Sequence, residues 1–174
     1  TPPPPVVMWL RPSASAGRAF SQTFIPPSHR LQHGNAALTY HRAIELASRL
    51  SNEDQAAILR VVSSPTERMD EALAVRICSQ SQDVLQLAEH AARLDSCDWG
   101  TDLTVPGLKL RAPELPLLRL LATIIALDAR VAIMNHDAPR AIGAIGSGLA
   151  LARSLSRGST VLQASLGVWT ASLM

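Results

Sequence analysis

The sequence predicts an all-α domain, and three observations predict it. Aromatic residues make up only 3% of a chain that is 47% hydrophobic, so the core must be built from Leu, Ile, Val and Ala. That composition favours packed helices, because sheets draw on aromatic and β-branched residues. From Asn35 onward, apolar residues recur at spacings of three and four, the period of a helix with one buried face. No segment reads as a convincing strand. With 174 residues and 17% charged, the chain suits one folded domain. The expected architecture is a set of antiparallel helical hairpins over residues 34–174, preceded by an irregular Pro-rich arm over residues 1–33.

The arm comes first. "TPPPP", "RPSASAG" and "IPPS" hold extended, polyproline-like backbone with few amide donors, and Trp9, Phe20 and Phe24 are available to pin it to the body. No acidic residue precedes Glu45, whereas Arg11, Arg18, Arg30 and Arg42 do. A basic arm can meet nucleic acid or anionic lipid, but so few charges fit a solvated linker better, and no nucleic-acid partner is expected. Lys109 is the only lysine, and the net charge is +2.

"NAALTYHRAIELASRL" then places Ala36, Tyr40, Ala43, Ala47 and Leu50 on one helical face, with Asn35 as N-cap and Glu45 and Arg49 as an i,i+4 pair. A short helix follows at "NEDQAAILRVV", started by Ser51 or Asn52. "SPTE" reads as a capping box, with Ser64 as cap, Pro65 in the first turn and Glu67 reaching back. From there Met69, Leu73, Ile77, Val84, Ala88 and Ala91 trace one stripe, with "SQSQ" at residues 79–82 as the place to bend.

Residues 95–113 break the periodicity with Gly100, Pro106, Gly107 and Pro113. "ELPLLRLLATIIALDARVAIMNH" resumes as helix, and because residues 120–127 are apolar nearly all round it should be the most buried one. Asp137 caps the next helix, and after Gly158 and Ser159 a last one runs through Val161, Leu162, Leu166 and Trp169. The apolar run at 120–127 is far short of the roughly 20 residues a membrane span needs. The chain opens on Thr1 without a charged start and an apolar stretch, and it stops at Met174 within an apolar pattern. A piece of a longer protein, truncated at its C-terminus, is therefore expected.

Two resemblances add to this reading. "HDAPRAIGAIGSGLALARS" is similar to the second helix of a tetratricopeptide-type repeat: Ala141, Ile145 and Gly148 match its small–bulky–small packing face, followed by Leu149. The preceding helix departs from that motif at Asp128, Ala129 and Ala132, and Arg153 stands where the repeat has Pro. Across more of the chain, "NAALTYHRAIEL", "CDWG", "LRLLATIIALDAR" and the helix from Asp137 to Arg153 occur in an order that resembles an uncharacterised all-helical family of planctomycete-type bacteria. The resemblance implies an architecture and an envelope-facing or membrane-anchored setting, with any membrane contact made through a segment outside this chain. It implies no chemistry.

The one segment dense in reactive groups is "DSCDWGTD", residues 95–102. As a calcium loop it fails, because the twelfth position counted from Asp98 is Lys109 rather than a bidentate Glu. Zinc would need more Cys or His close by. As a nucleophile, Cys97 would need a base such as His41 or His90, and the adjacent Asp98 disfavours the thiolate. Were residues 65–94 one continuous helix, Cys78 and Cys97 would stand about 28 Å apart, too far for a disulfide. His29 and His33 lack the Glu of a zinc-hydrolase motif and read as surface residues in a loop. "GAIGSG" at residues 143–148 lies in mid-helix, where close helix packing explains it better than phosphate binding.

No cofactor or metal is expected. The favoured reading is a non-enzymatic scaffold or protein-binding module whose partner is another protein or a second copy. In it Cys97, Asp98, Trp99 and Gly100 form a latch, with Trp99 as wedge, Gly100 permitting the turn and Asp98 anchored by backbone or by Arg119 or Arg130. Truncating a fully buried Trp99 would cost about 3–5 kcal/mol. The alternative is an enzyme whose site gathers Cys97, Asp98, a histidine and Arg119 or Arg130.

Overall fold

A computed structural model describes residues 31–63, 70–100, 115–158 and 160–174. The domain is predominantly helical: α1 (Ala36–Ala47), α2 (Asn52–Ser63), α3 (Glu71–Gln80), α4 (Gln82–Ala92), α5 (Leu115–Met134), α6 (Ala138–Ser156) and α7 (Val161–Leu173). Two short strands, β1 (Gln32–Asn35) and β2 (Leu94–Ser96), complete the described residues.

Side-chain caps set the starts of α1, α2, α3, α6 and α7. The Asn35 side chain accepts from the Ala37 amide (3.1 Å) and begins α1. Ser51 Oγ accepts from the Asp54 amide (3.1 Å) and donates to the Asp54 carboxylate (2.8 Å), opening α2. The Asp54 carboxylate is also paired with Arg76 of α3 (2.7 Å), and the Ser51 and Arg76 bonds hold it below the usual carboxylate range. Asp70 caps α3, Asp137 caps α6, and Thr160 with Gln163 forms a capping box on α7. The "SPTE" box lies outside the described residues, as do Trp9, Phe20, Phe24 and His29.

The long helix expected from Pro65 to about Leu94 is two helices. The chain bends at Ser81 (φ −100°, ψ 14°), inside the "SQSQ" patch, and α4 starts afresh at Gln82. The stripe survives the break: Ile77, Val84, Ala88 and Ala91 are all buried. Glu45 and Arg49 do not share a helix, because α1 ends at Ala47.

The absence of strands is corrected too. β1 and β2 pair in parallel, with Gln32 opposite Leu94 and Asn35 opposite Ser96, and an irregular register between. Neither strand shows an alternating pattern, since one has four residues and the other three. The pairing also draws Gln32 and His33, assigned to the arm on sequence, into the folded body.

Helix α5 is the axis of the fold and touches each of the other described helices. Thirteen of its twenty residues are buried, among them Leu121, Ile124, Ile125 and Leu127. A Schellman turn ends it: the Asp137 amide donates to Ala132 O (2.9 Å) and the His136 amide to Ile133 O (3.0 Å). His136 occupies the left-handed position at φ 56°, and Asp137 immediately caps α6.

Not every glycine of α6 answers to packing. A Cβ on Gly148 would collide with the Met174 side chain, whereas one on Gly143 would meet nothing within 4 Å. The tighter backbone approach is on α7, where a Cβ on Gly167 would stand 2.7 Å from Ala152 O and 2.8 Å from Ser156 N.

Candidate functional site

The segment Asp95–Gly100 is built against the start of the domain. Asp95 Oδ1 accepts from the Gly34 amide (3.1 Å), and Oδ2 lies 2.7 Å from His33 Nδ1. The Gly34 amide first, then the neighbouring His33, hold the Asp95 carboxyl below its ordinary range. Ser96 Oγ donates to Gly34 O (2.7 Å). Next along the chain, the Asn35 carboxamide acts as a peptide group: its Oδ1 accepts from the Asp98 amide (2.9 Å) and its Nδ2 donates to Asp98 O (3.0 Å). One side chain thus caps α1 and holds the segment after β2.

Trp99 is the wedge in geometry. Its ring stacks on Tyr40 (centroids 5.8 Å apart, planes 16° apart) and meets the edge of His41 at 5.9 Å. Its Nε1 donates to Ser154 O of α6 (3.2 Å). The ring is only half-buried, packed against the rim of the core rather than sunk within it. Gly100 takes φ +61°, the left-handed region that favours glycine, and its amide donates to Asp98 Oδ1 (2.9 Å).

Of the two anchors expected for Asp98, backbone or arginine, the backbone one is made. Asp98 is exposed, and its carboxylate accepts from the Gly100 amide two residues on. Arg119 instead places its guanidinium 4.7 Å from the centre of the Trp169 ring, joining α5 to α7 by a cation–π contact. Arg130 lies eleven residues further along α5, half-buried between Ala129 and Val131. Arg119 is thus committed to α7, and the cluster Cys97–Asp98–Trp99–Gly100 rests on the backbone of Asn35's neighbours and of α6 instead.

Cys97 is half-buried at a small indentation of about 40 Å³, bordered by Ser96, Arg153, Ser154 and Arg157. That volume holds one or two waters rather than a substrate. Burial, reinforced by the Asp98 charge and opposed by Ser154, pushes the thiol up to about 11. Neither His41 nor His90 borders the indentation. Tyr40, fully buried beside it, has a hydroxyl without a hydrogen bond of full geometry, and burial raises its pKa strongly. Cys78 and Cys97 are both free thiols.

Among the described residues, no group of three or more His, Cys, Asp and Glu side chains is placed to hold a metal ion. No described helix is long and apolar enough to cross a membrane. The arrangement ties β1, α1, β2 and α6 through backbone-directed bonds and one aromatic stack. Asn35 was legible as a cap only. Its grip on Asp98, 63 residues away, and the seat that Tyr40 and Ser154 offer to Trp99 arise from tertiary register and leave no local signal. Compared with known proteins, the chain matches no family model, no curated protein and no solved structure.

Proposed function

We propose that this domain is a non-enzymatic helical scaffold that engages a protein partner through the outer face of α7. The observation that carries this reading is the orientation of that helix. It turns Gln163, Gly167 and Thr170 inward and leaves Val161 (82% exposed), Val168 (70%) and Leu162 (56%) facing solvent. Leu166, Trp169 and Leu173 pack against the core, yet Val161, Leu162 and Val168 stand outward where an ordinary surface helix carries polar residues. No charged residue occurs from Ser159 to Met174, so the face offers apolar contact without a charge to desolvate.

The short connections between α5, α6 and α7, together with the mutual packing of these three helices, support hairpins of the tetratricopeptide type. The buried small residues Ala141 and Gly148 fit the same packing face. Under the resemblance to the planctomycete-type family, the partner belongs to the cell envelope. The elevated Cys97 thiol and the separation of Arg119 from Asp98 favour this reading over an enzyme at residues 97–100.

Photo-crosslinking tests it. A benzophenone amino acid at position 168, introduced in native membranes and lysates, should give a discrete adduct that Leu162→Asp abolishes. The adduct mass separates a second copy from another protein. A smear or no adduct, with the domain folded, counts against the proposal.

A further inference from the structure

A second concavity lies away from the segment around Trp99, between α4, α5 and α6. It encloses about 280 Å³, at the lower edge of what small-molecule sites occupy. Ile125 of α5 is buried at its apolar side. Gln82 and Gln86, one helical turn apart on α4, border it with exposed carboxamides that bond to no described side chain or backbone group. Facing them are the Asp128 carboxylate, nearly buried, and the Arg140 guanidinium paired to it.

Gly143 borders the same cleft in the middle of α6. Glycine is the poorest helix former after proline, so its presence in a helix interior calls for a reason. Packing supplies none, since a Cβ there meets nothing within 4 Å. Nor does a left-handed backbone, because the residue is helical. Its missing side chain keeps that space open and leaves the backbone of α6 approachable.

From these groups the geometry points to a binding site for a small, neutral, amide-bearing molecule with an apolar body. The charge pattern selects neutrality. Asp128 is satisfied by Arg140, and Glu89 at the rim is paired with Arg93 outside the cleft, so each carboxylate of the lining already has its cation. An anion would meet two carboxylates, and a cation would meet the Arg140 guanidinium. The carboxamides of Gln82 and Gln86 and the Asp128–Arg140 pair each present a donor beside an acceptor, the complement of an amide edge. This site is independent of the partner face on α7.

Benzamide is a suitable probe, with benzoate and benzamidine as its anionic and cationic counterparts of equal size. Titrated into the ¹⁵N-labelled chain, benzamide should shift the side-chain amides of Gln82 and Gln86 and the Gly143 amide saturably. It should bind at least five-fold more tightly than either charged analogue. Gly143→Leu should abolish those shifts without lowering the thermal midpoint, because the leucine fills open space. The proposal is overturned if benzamide gives no saturable shifts at these positions, if a charged analogue binds equally well, or if the shifts persist in a folded Gly143→Leu protein.

Discussion

Asn35 carries three hydrogen bonds with one side chain, and its removal is the sharpest test of how the segment around Trp99 is held. In Asn35→Ala the helix loses its N-cap, the bond to the Ala37 amide, a loss of about 1 kcal/mol in typical cases. The two bonds to the Asp98 backbone go as well, and in their solvent-accessible setting each contributes about 0.5–1 kcal/mol. The expected destabilisation is about 2–3 kcal/mol, which for a domain of this size lowers the melting midpoint by roughly 5–10 °C. Urea unfolding followed by circular dichroism at 222 nm measures it, with an unchanged m value showing that only stability moved. Asn35→Asp separates the contributions. It keeps both acceptor bonds and places a negative charge at the start of α1, but it sets a carboxylate oxygen against Asp98 O where the donor had been. Its loss should fall between those of the parent and Asn35→Ala. An Asn35→Ala protein within about 0.5 kcal/mol of the parent would refute the reasoning, because the cap alone should exceed that.

Other substitutions probe separate parts of the fold. Trp99→Ala should cost about 2–3 kcal/mol, less than for a fully buried ring, because it forfeits a half-exposed surface, the Tyr40 stack and one bond to Ser154 O; chemical denaturation that shows no change sinks the wedge. Gly167→Ala should destabilise by about 1–3 kcal/mol, since the obstructing Ala152 O and Ser156 N are backbone atoms that cannot swing aside; a neutral result in calorimetry would mean that α7 does not approach α6 so closely. His136→Gly should stabilise by about 0.5–1 kcal/mol by relieving a left-handed side-chain residue at the end of α5, and a lowered midpoint contradicts it. Cys97, its thiol raised to about 11, should react with iodoacetamide more slowly at pH 7.5 than a free cysteine and accelerate as pH climbs towards that value; faster reaction than the free amino acid excludes the buried environment.

Much of the helical framework was legible because its signals are local. Asn35, Ser51, Asp137 and the apolar run of α5 announce helix starts and a buried core within a few residues of themselves. The bend at Ser81 was legible as a polar interruption, though the independent start of α4 was not, since Ser81 makes no side-chain cap bond there. Residues 32–35 and 94–96 escaped because strands so short owe their conformation to each other. For Asp98 both a backbone amide and an arginine were open on sequence, and the turn that Gly100 permits brought the amide within reach. Gly143 misled in the other direction, since sequence cannot tell a glycine that admits a neighbouring helix from one that faces open space.

The parallel pairing of β1 with β2 also has a kinetic consequence. Parallel strands cannot meet through a tight turn, and here α1 through α4 lie between them. Closing so long a loop for a handful of bonds is entropically unfavourable until α1 and α4 have already packed. The clasp is therefore a late event, a seal on helices that have found one another rather than a seed for them. In pulse-labelled hydrogen exchange during refolding, the amides of Gly34 and Asp98 should gain protection after those of Ile124 and Ile125 in the centre of α5, and on the approach to denaturation they should be among the first to lose it.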